Sequence, residues 1–177
     1  MRCEGWINTI GVIFEDFINY KKTCMTIEMP YCTFKCNKEC GKNVCQNAAL
    51  TNSALISVNI RELIDGYLNN PLSHAIVFQG LEPFYQDDKN DSFAEVLEFI
   101  QILREEYKCE DPVIIYTGYT EDECIKFGYI ADLEQFSNII IKFGRFIPDK
   151  ESHMDEILGV KLASPNQYAK IIGGNYE

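Results

Sequence analysis

Residues 31–47 read YCTFKCNKECGKNVCQN, and this stretch holds four of the eight cysteines in the chain, at positions 32, 36, 40 and 45. We call it the cysteine loop. Its glycine and asparagines, Asn37, Gly41 and Asn43, indicate a loop rather than a regular element. Thiols at this density are cross-linked, bound to metal or redox-active. Which of these holds decides most of what the chain can do.

The composition is that of a folded protein, and its charge argues against general nucleic-acid binding. The chain has 177 residues, of which 46% are apolar, and this is enough for one domain with its own core. We expect a single domain over residues 1–177. The formal net charge is −11. A phosphate backbone would be repelled by this charge, which leaves small ligands and proteins as partners.

The amino-terminal segment does not resemble a secretion signal. Its apolar run is short, and Glu15 and Asp16 stand where a cleavage site would be expected. No apolar run has the length of a transmembrane helix, so we expect no membrane association. We therefore expect a protein of the reducing cytoplasm. Clustered cysteines there bind metal more often than they form disulfides.

Hydrophobic periodicity predicts alternating strands and helices. Strands are predicted at 5–14, 23–29, 75–78, 113–116 and 139–141, with a last edge strand at 167–172, and helices are predicted to begin at Asn59, Ser92 and Thr120. Residues 48–58 fit neither pattern. The alternation indicates an α/β fold in which parallel strands are joined by right-handed crossovers. In such folds ligands bind at the carboxyl ends of the strands.

The unusual residues of the chain follow the predicted strands, so we expect them at one edge of the sheet. The cysteine loop follows the strand at 23–29, and the later strands are followed by residues 79–83, 117–119 and 143–146. This pattern predicts a single site. Four cysteines remain outside the loop, and we expect each to be a small buried apolar residue. These four are Cys3, Cys24, Cys109 and Cys124.

The spacing within the cysteine loop is Cys-x3-Cys-x3-Cys-x4-Cys. A gap of three residues allows two thiolates of one loop to reach neighbouring irons of a cubane. Zinc sites prefer gaps of two residues, but four clustered cysteines also suit a closed zinc site. The spacing alone therefore leaves an iron–sulfur cluster and zinc open.

The cysteine loop resembles that of the radical S-adenosylmethionine enzymes, in particular the activating enzymes of anaerobic ribonucleotide reductase. Their signature is Cys-x3-Cys-x2-Cys, commonly followed by His-Asn. Here Cys32 and Cys36 have the first spacing, and Cys45-Gln46-Asn47 resembles the end of the signature. Eight residues separate Cys36 from Cys45, and Cys40 is additional. The resemblance implies a 4Fe-4S cluster held by Cys32, Cys36 and Cys45, with Cys40 as the alternative third ligand.

Four later segments resemble motifs of the same family, in the same order. They are Gly80-Leu81-Glu82-Pro83 for Gly-Gly-Glu-Pro, Tyr116-Thr117-Gly118-Tyr119 for Tyr-Thr-Gly-Tyr, Gly144-Arg145-Phe146 for Asp-Gly-Arg-Phe, and Ala163-Ser164-Pro165-Asn166-Gln167 for Gly-Ser-x-Asn-Gln. Leu81 replaces a glycine of the family pattern, and Phe143 replaces its aspartate.

The resemblance implies a fold and roles for these residues. The fold would be a small partial, open parallel β/α barrel of the radical S-adenosylmethionine type. Gly80, Glu82 and Pro83 would meet the amino group of S-adenosylmethionine. Tyr116 and Tyr119 would stack on its adenine or contact a partner. In the family, three thiolates leave one iron open for the cofactor, and an electron then produces a 5′-deoxyadenosyl radical.

The implied reaction is hydrogen abstraction from a glycine of a glycyl radical enzyme, with an anaerobic ribonucleotide reductase as the expected partner and flavodoxin or ferredoxin as electron donor. Docking would use Tyr119, Arg145 and Phe146, because aromatic and Arg side chains dominate interface energetics. Two alternatives remain open. One is a radical enzyme that acts on a small molecule, and the other is a zinc-stabilised binding module without catalysis.

Overall fold

The computed structural model describes residues 4–173, which form a mixed α/β structure. Its strands are β1 (Trp6–Thr9), β2 (Gly11–Asp16), β3 (Cys24–Met29), β4 (Ile56–Asn59), β5 (Ile76–Gly80), β6 (Val113–Tyr116), β7 (Ile139–Phe143), β8 (His153–Asp155), β9 (Val160–Leu162) and β10 (Tyr168–Ile172). Its helices are α1 (Lys35–Cys40), α2 (Ile60–Leu68), α3 (Ser92–Glu105), α4 (Glu121–Lys126) and α5 (Tyr129–Leu133), with a 3₁₀ turn at Ala48–Asn52.

The main sheet has six strands in the order β10-β7-β6-β5-β3-β2. The four central strands are parallel, as the alternating pattern predicts, and an antiparallel strand lies at each edge. The expected edge strand near the end of the chain is β10, which pairs with β7. Because β2 and β10 are the two ends of this order, the sheet is open. Its assignment to the radical S-adenosylmethionine barrel type stays a prediction.

The two faces of the sheet differ in character. On the outer face, side chains such as Ile27, Phe78 and Ile115 form one apolar cluster with α2, α3 and α5. On the inner face, Val77 and Ile140 belong to a smaller cluster with residues of the β8–β9 hairpin and with Tyr20. Alternation along the strands places several polar side chains on this inner face as well. They are Thr26, Glu28, Gln79, Tyr116 and Lys142.

The single strand predicted at 5–14 is wrong, because the chain changes partners at Ile10. β1 pairs with β4 in a separate two-stranded sheet, whereas β2 pairs with β3. The hydroxyl of Thr9 fixes the break: it donates to the carbonyl of Glu28 at 2.7 Å and accepts from the amide of Gly11 at 3.1 Å. Continuous apolar character concealed this change of sheet. The previously unassigned residues 48–58 contain the 3₁₀ turn and most of β4.

The three predicted helix starts agree with the structure. Asn59 caps α2 and Thr120 caps α4 through a capping box with Glu123, while α3 begins at Ser92 and is capped by Asp91. Gly128 has a positive φ of 81° and separates α4 from α5. Within residues 4–173, no helix combines the length and apolarity needed to cross a bilayer.

Two of the four isolated cysteines are buried, as expected. Cys24 and Cys124 are inaccessible to solvent, and burial raises the pKa of Cys24 to about 11. Cys109 is only partly buried, beside the core cluster of the outer face. Cys3 lies outside the described residues. A short hairpin that the sequence pattern did not reveal, β8–β9, covers part of the inner face.

Candidate metal centre

A cavity of about 320 Å³ opens at the carboxyl ends of the parallel strands. Its wall brings together residues from the cysteine loop and from all four later motifs. The lining residues are Asn19, Cys32, Thr33, Lys35, Cys36, Cys45, Gln46, Asn47, Gln79, Gly80, Leu81, Glu82, Tyr116, Thr117, Gly118, Tyr119, Lys142, Gly144, Arg145, Phe146, Lys161, Leu162, Ala163 and Gln167. The predicted collection of unusual residues at one edge is therefore observed.

Three cysteines of the loop line this cavity, namely Cys32, Cys36 and Cys45, whereas Cys40 does not. Burial raises the pKa of the Cys32 thiol to about 12, and proximity to Glu82, Cys36 and Cys45 adds to the increase. Burial, followed by the nearby Cys45, also raises the pKa of Cys36. The three thiols are close enough to influence one another electrostatically. Such a group favours a bound positive charge, because each thiolate is costly without one.

Asn37 joins α1 to the second half of the cysteine loop. Its side-chain oxygen accepts hydrogen bonds from the amides of Val44 at 2.8 Å and Cys45 at 2.9 Å. This contact brings Cys45 back beside Cys36, although eight residues lie between them. Phe34 precedes α1 in a left-handed conformation with φ of 51°, and its amide donates to the Cys32 sulfur at 3.2 Å. The loop geometry thus turns three separated thiols toward one cavity.

The end of the cysteine loop is hydrogen-bonded to the Gly-x-Glu-Pro segment. Asn47 donates from its side chain to the carbonyl of Gly80 at 2.7 Å. Gly80 has φ of 89°, and a Cβ there would lie 2.8 Å from Glu28 Oε2 and 2.9 Å from the Met29 amide. Only glycine fits this close approach of β5 to β3. Packing and the positive φ therefore account for the glycine at this position.

Glu82 is 5% exposed and connects the ends of β5 and β6. Its Oε1 accepts from Thr117 Oγ1 at 2.7 Å and from the Phe84 amide at 3.0 Å, and its Oε2 accepts from the Gly118 amide at 2.9 Å. Burial raises the pKa of this carboxyl, and these hydrogen bonds oppose the increase. A carboxylate oxygen has about two acceptor sites, so Oε2 retains one. Pro83 is buried and is not part of the cavity wall.

Lys142 is a buried cation on the inner face, beside Tyr116 in the register of β6 and β7. Its Nζ donates to the carbonyl of Gly144 at 2.9 Å and lies 5.8 Å from the centre of the Tyr116 ring. Burial lowers the pKa of this amine to about 8, and the charge of Glu82 opposes the decrease. Sequence reasoning missed Lys142. A lysine inside the apolar run 139–143, at a position that faces inward, is the sequence signal that could have identified it.

Three aromatic or cationic residues expected at the rim have internal contacts. The hydroxyl of Tyr116 donates to the carbonyl of Asn19 at 2.6 Å, on the inner face. Tyr119 is 8% exposed, and its ring packs near Phe127 and Tyr129. Arg145 is also 8% exposed, and its Nη2 donates to Glu123 at 2.6 Å. Tyr119 and Arg145 therefore offer little surface for docking, although all three residues line the cavity.

The last two motifs fold onto each other. Asn166 donates to the carbonyl of Arg145 at 2.8 Å, and Gln167 donates to the carbonyl of Gly144 at 3.3 Å. Gly144 has φ of 98°, and a Cβ there would lie 2.7 Å from the carbonyl oxygen of Asn166. The amide of Gly144 donates to the carbonyl of Tyr119 at 2.9 Å. Residues 163–167 thus form a wall that is fastened to the end of β7.

The donor set of three thiols on one cavity wall is of the kind that holds an iron–sulfur cluster. Within residues 4–173, no three His, Cys, Asp or Glu side chains are gathered tightly enough to hold one ion. A cubane places each thiolate on a separate iron, so its ligands stand further apart than those of one ion. Three thiols on the wall of one cavity, with a polar region beside them, are suited to that arrangement.

Comparisons with known proteins agree with this chemistry. A search of curated proteins and a search of solved structures each gave no match. A family model described as a 4Fe-4S single cluster domain matches residues 23–167, from the start of β3 through the last motif. The match covers the cysteine loop and the entire cavity wall except Asn19. Because it spans well over half of the chain, this protein belongs to the 4Fe-4S single cluster domain family.

Proposed function

We propose that the protein is a radical S-adenosylmethionine enzyme that produces a glycyl radical on a partner protein, with an anaerobic ribonucleotide reductase as the best candidate. The observation that carries the proposal is the shared wall of the cavity. Cys32, Cys36 and Cys45 meet there with residues of four motifs that lie 35 to 122 residues after Cys45 in the chain. A closed structural metal site would not need those motifs.

The proposed cluster ligands are Cys32, Cys36 and Cys45. The hydrogen bond that the Cys45 amide donates to Asn37 supports Cys45 as the third ligand, because it holds this residue at the cavity wall. Cys40 is the last residue of α1 and is not on that wall. Family membership favours iron–sulfur over the zinc alternative.

S-adenosylmethionine would occupy the polar part of the cavity, over the ends of β5, β6 and β7. The remaining acceptor site on Glu82 Oε2 suits an ammonium group, since a charge-assisted hydrogen bond is among the stronger polar contacts. Gly80 provides close access to the β5 backbone, and Tyr116 provides an aromatic wall. The cluster, when bound, would supply the electron that cleaves a carbon–sulfur bond of the cofactor. The chain itself orients the cofactor and excludes water.

The direct test is anaerobic reconstitution with iron and sulfide, followed by reduction in the presence of S-adenosylmethionine. We expect 5′-deoxyadenosine to form, and the matched control Cys32→Ala should form none. Reduction without 5′-deoxyadenosine would reject the radical enzyme and leave an iron–sulfur protein of another kind.

The partner requires a second test. The reduced protein, with flavodoxin or ferredoxin as electron donor, is mixed with S-adenosylmethionine and the anaerobic ribonucleotide reductase of the host. Electron paramagnetic resonance should then record a glycyl doublet that depends on Cys32. Steady 5′-deoxyadenosine formation with a small metabolite, and no doublet with any glycyl radical enzyme of the host, would reject the activase.

One observation favours a second candidate, a radical enzyme acting on a small molecule. Tyr119 and Arg145 are each 8% exposed, so two of the three side chains expected to bind a partner protein are occupied internally. Phe146 remains partly exposed at the cavity mouth. Substituting Phe146 by Ala separates the two candidates, because it should weaken association with a protein partner.

A further inference from the structure

The short helix α1 carries Cys36 but has no hydrophobic anchor. None of its six residues is buried, and no side chain caps its amino end. A helix of this length is not stable by itself in water. Its position must therefore be set by contacts between its side chains and the rest of the chain.

Those contacts are mainly ionic and converge on one carboxylate of α4. Glu123 Oε1 accepts from Lys35 Nζ at 3.2 Å and from Arg145 Nη2 at 2.6 Å. Lys35 also lies 4.5 Å above the ring of Tyr119. On the next turn of α1, Glu39 Oε1 lies 3.2 Å from Arg145 Nε, although that nitrogen has no hydrogen bond of good geometry. α1 is thus connected at both turns to the same ionic group.

Glu123 is well suited to hold this group together. Its Oε2 accepts from the Thr120 amide at 2.9 Å, which completes the capping box of α4 and restricts the side chain. Burial acts to raise the pKa of Glu123, but the bonds from Arg145, Thr120 and Lys35 outweigh it and lower the pKa to about 2. The carboxylate is therefore charged, and the capping box and Arg145 hold it in a fixed orientation facing α1.

We infer that Glu123 is a positioning residue for the metal centre: through Lys35 and Arg145 it fixes α1, and thereby the Cys36 thiol, against the cavity. The inference goes beyond the proposed function. A measurement of cluster retention assumes the proposed ligand set. A measurement of the position of α1 does not, because it can be made on the protein without cluster.

The test substitution is Glu123→Gln, which keeps a capping side chain and removes the charge. In the protein without cluster, hydrogen–deuterium exchange of amides 36–45 should become about three- to tenfold faster, while α3 is unaffected. In the reconstituted protein, release of iron to a chelator should accelerate by a similar factor. Raising KCl from about 0.1 M to about 1 M shortens the Debye length from about 10 Å to about 3 Å. The salt should accelerate iron release in the unsubstituted protein more than in the variant.

Glu121→Gln is the matched control. Glu121 lies in the same turn of α4 and accepts from Lys170 Nζ at 2.6 Å and Tyr168 at 2.7 Å, both in β10. The variant has the same change in charge and loses a comparable ion pair. It should leave exchange at 36–45 and the salt dependence of iron release unchanged.

Three results would overturn the inference. They are unchanged exchange at 36–45 in Glu123→Gln, equal acceleration in Glu121→Gln, and faster exchange without faster iron release. If Glu123→Gln does not fold, Lys35→Gln breaks the same ion pair from the side of α1, and the same two measurements then decide. Loss of 5′-deoxyadenosine formation alone would bear on the proposed function and not on this inference.

Discussion

The two faces of the central sheet are stabilised in different ways. The outer face is apolar and is covered by helices with long buried sides; α3 alone buries nine of its residues. The inner face carries polar side chains and is covered by a hairpin, an irregular loop and the cysteine loop. On the first face, apolar packing predominates, supplemented by hydrogen bonds of buried groups such as Arg104. On the second, hydrogen bonds and ion pairs share this role with a smaller apolar cluster, and removing one polar partner leaves a buried group unsatisfied.

The largest expected effect is on the inner face. Cys45→Ala should abolish the visible absorbance of the reconstituted cluster, because it removes one of three thiolates on the cavity wall. Its matched control is Cys40→Ala, which should keep most of the absorbance. Absorbance spectra after anaerobic reconstitution are sufficient. Loss in Cys40→Ala with retention in Cys45→Ala would make Cys40 the third ligand. Neither variant should alter the urea midpoint of the protein without cluster.

Phe99→Ala tests the outer face. Phe99 is fully buried, and its ring meets that of Phe78 edge-on at 5.2 Å. The cavity left by the substitution should reduce the free energy of unfolding by about 3–5 kcal/mol. Urea unfolding measures this loss in the free energy of unfolding. A loss below about 1 kcal/mol would mean that the outer face is not the main source of stability.

Glu82→Ala should weaken binding of S-adenosylmethionine to the reconstituted protein while leaving the cluster in place. Losing the partner of a charged group costs about 1.5–3 kcal/mol, or roughly ten- to a hundredfold in affinity. Calorimetry measures the affinity for S-adenosylmethionine. Glu82 also accepts from Thr117 and Gly118, so Thr117→Val is the control for a purely structural loss. Equal weakening in both variants would assign Glu82 to holding the strand ends.

Asp16→Asn should have the smallest effect, about 1 kcal/mol of stability at neutral pH. Asp16 is buried and accepts from Thr26 Oγ1, the Ile18 amide and Asn19. Burial acts to raise its pKa, but these hydrogen bonds outweigh it and lower the pKa.

The contribution of Asp16 to stability should depend on pH. A carboxyl with a lowered pKa stabilises the folded state above its unfolded pKa of about 4, and this contribution is lost as the pH falls further. The difference in unfolding free energy between the original protein and Asp16→Asn should therefore shrink below about pH 4. A difference that is constant from pH 7 to pH 3 would contradict the assignment.

Sequence patterns were informative where packing sets the structure. The apolar runs at 113–116 and 139–141 correspond to β6 and to most of β7, and Thr120 caps α4 as predicted. The pattern failed at 5–14, because two strands of different sheets present the same continuous apolar character. It also missed β8–β9, whose three-residue strands are too short to show alternation.

The candidate site was predictable in its membership but not in its internal contacts. Motif order placed the cysteines, Glu82 and Gly144 at one edge because parallel strands share a carboxyl end. Nothing in local sequence says that Arg145 turns inward to Glu123, or that Asn37 joins Cys45 to α1. Both contacts are polar and lie outside regular helix or strand pairing, and periodicity carries no information about them.

The wall formed by residues 163–167 has a consequence for how the site is made. The cysteine loop is synthesised more than a hundred residues before the segment that closes over Gly144. At ~5–20 residues per second, the thiols leave the ribosome on the order of ten seconds before their pocket can close. During that interval the far wall of the cavity is missing, so the cysteine loop exists without its pocket until residues 163–167 have been made.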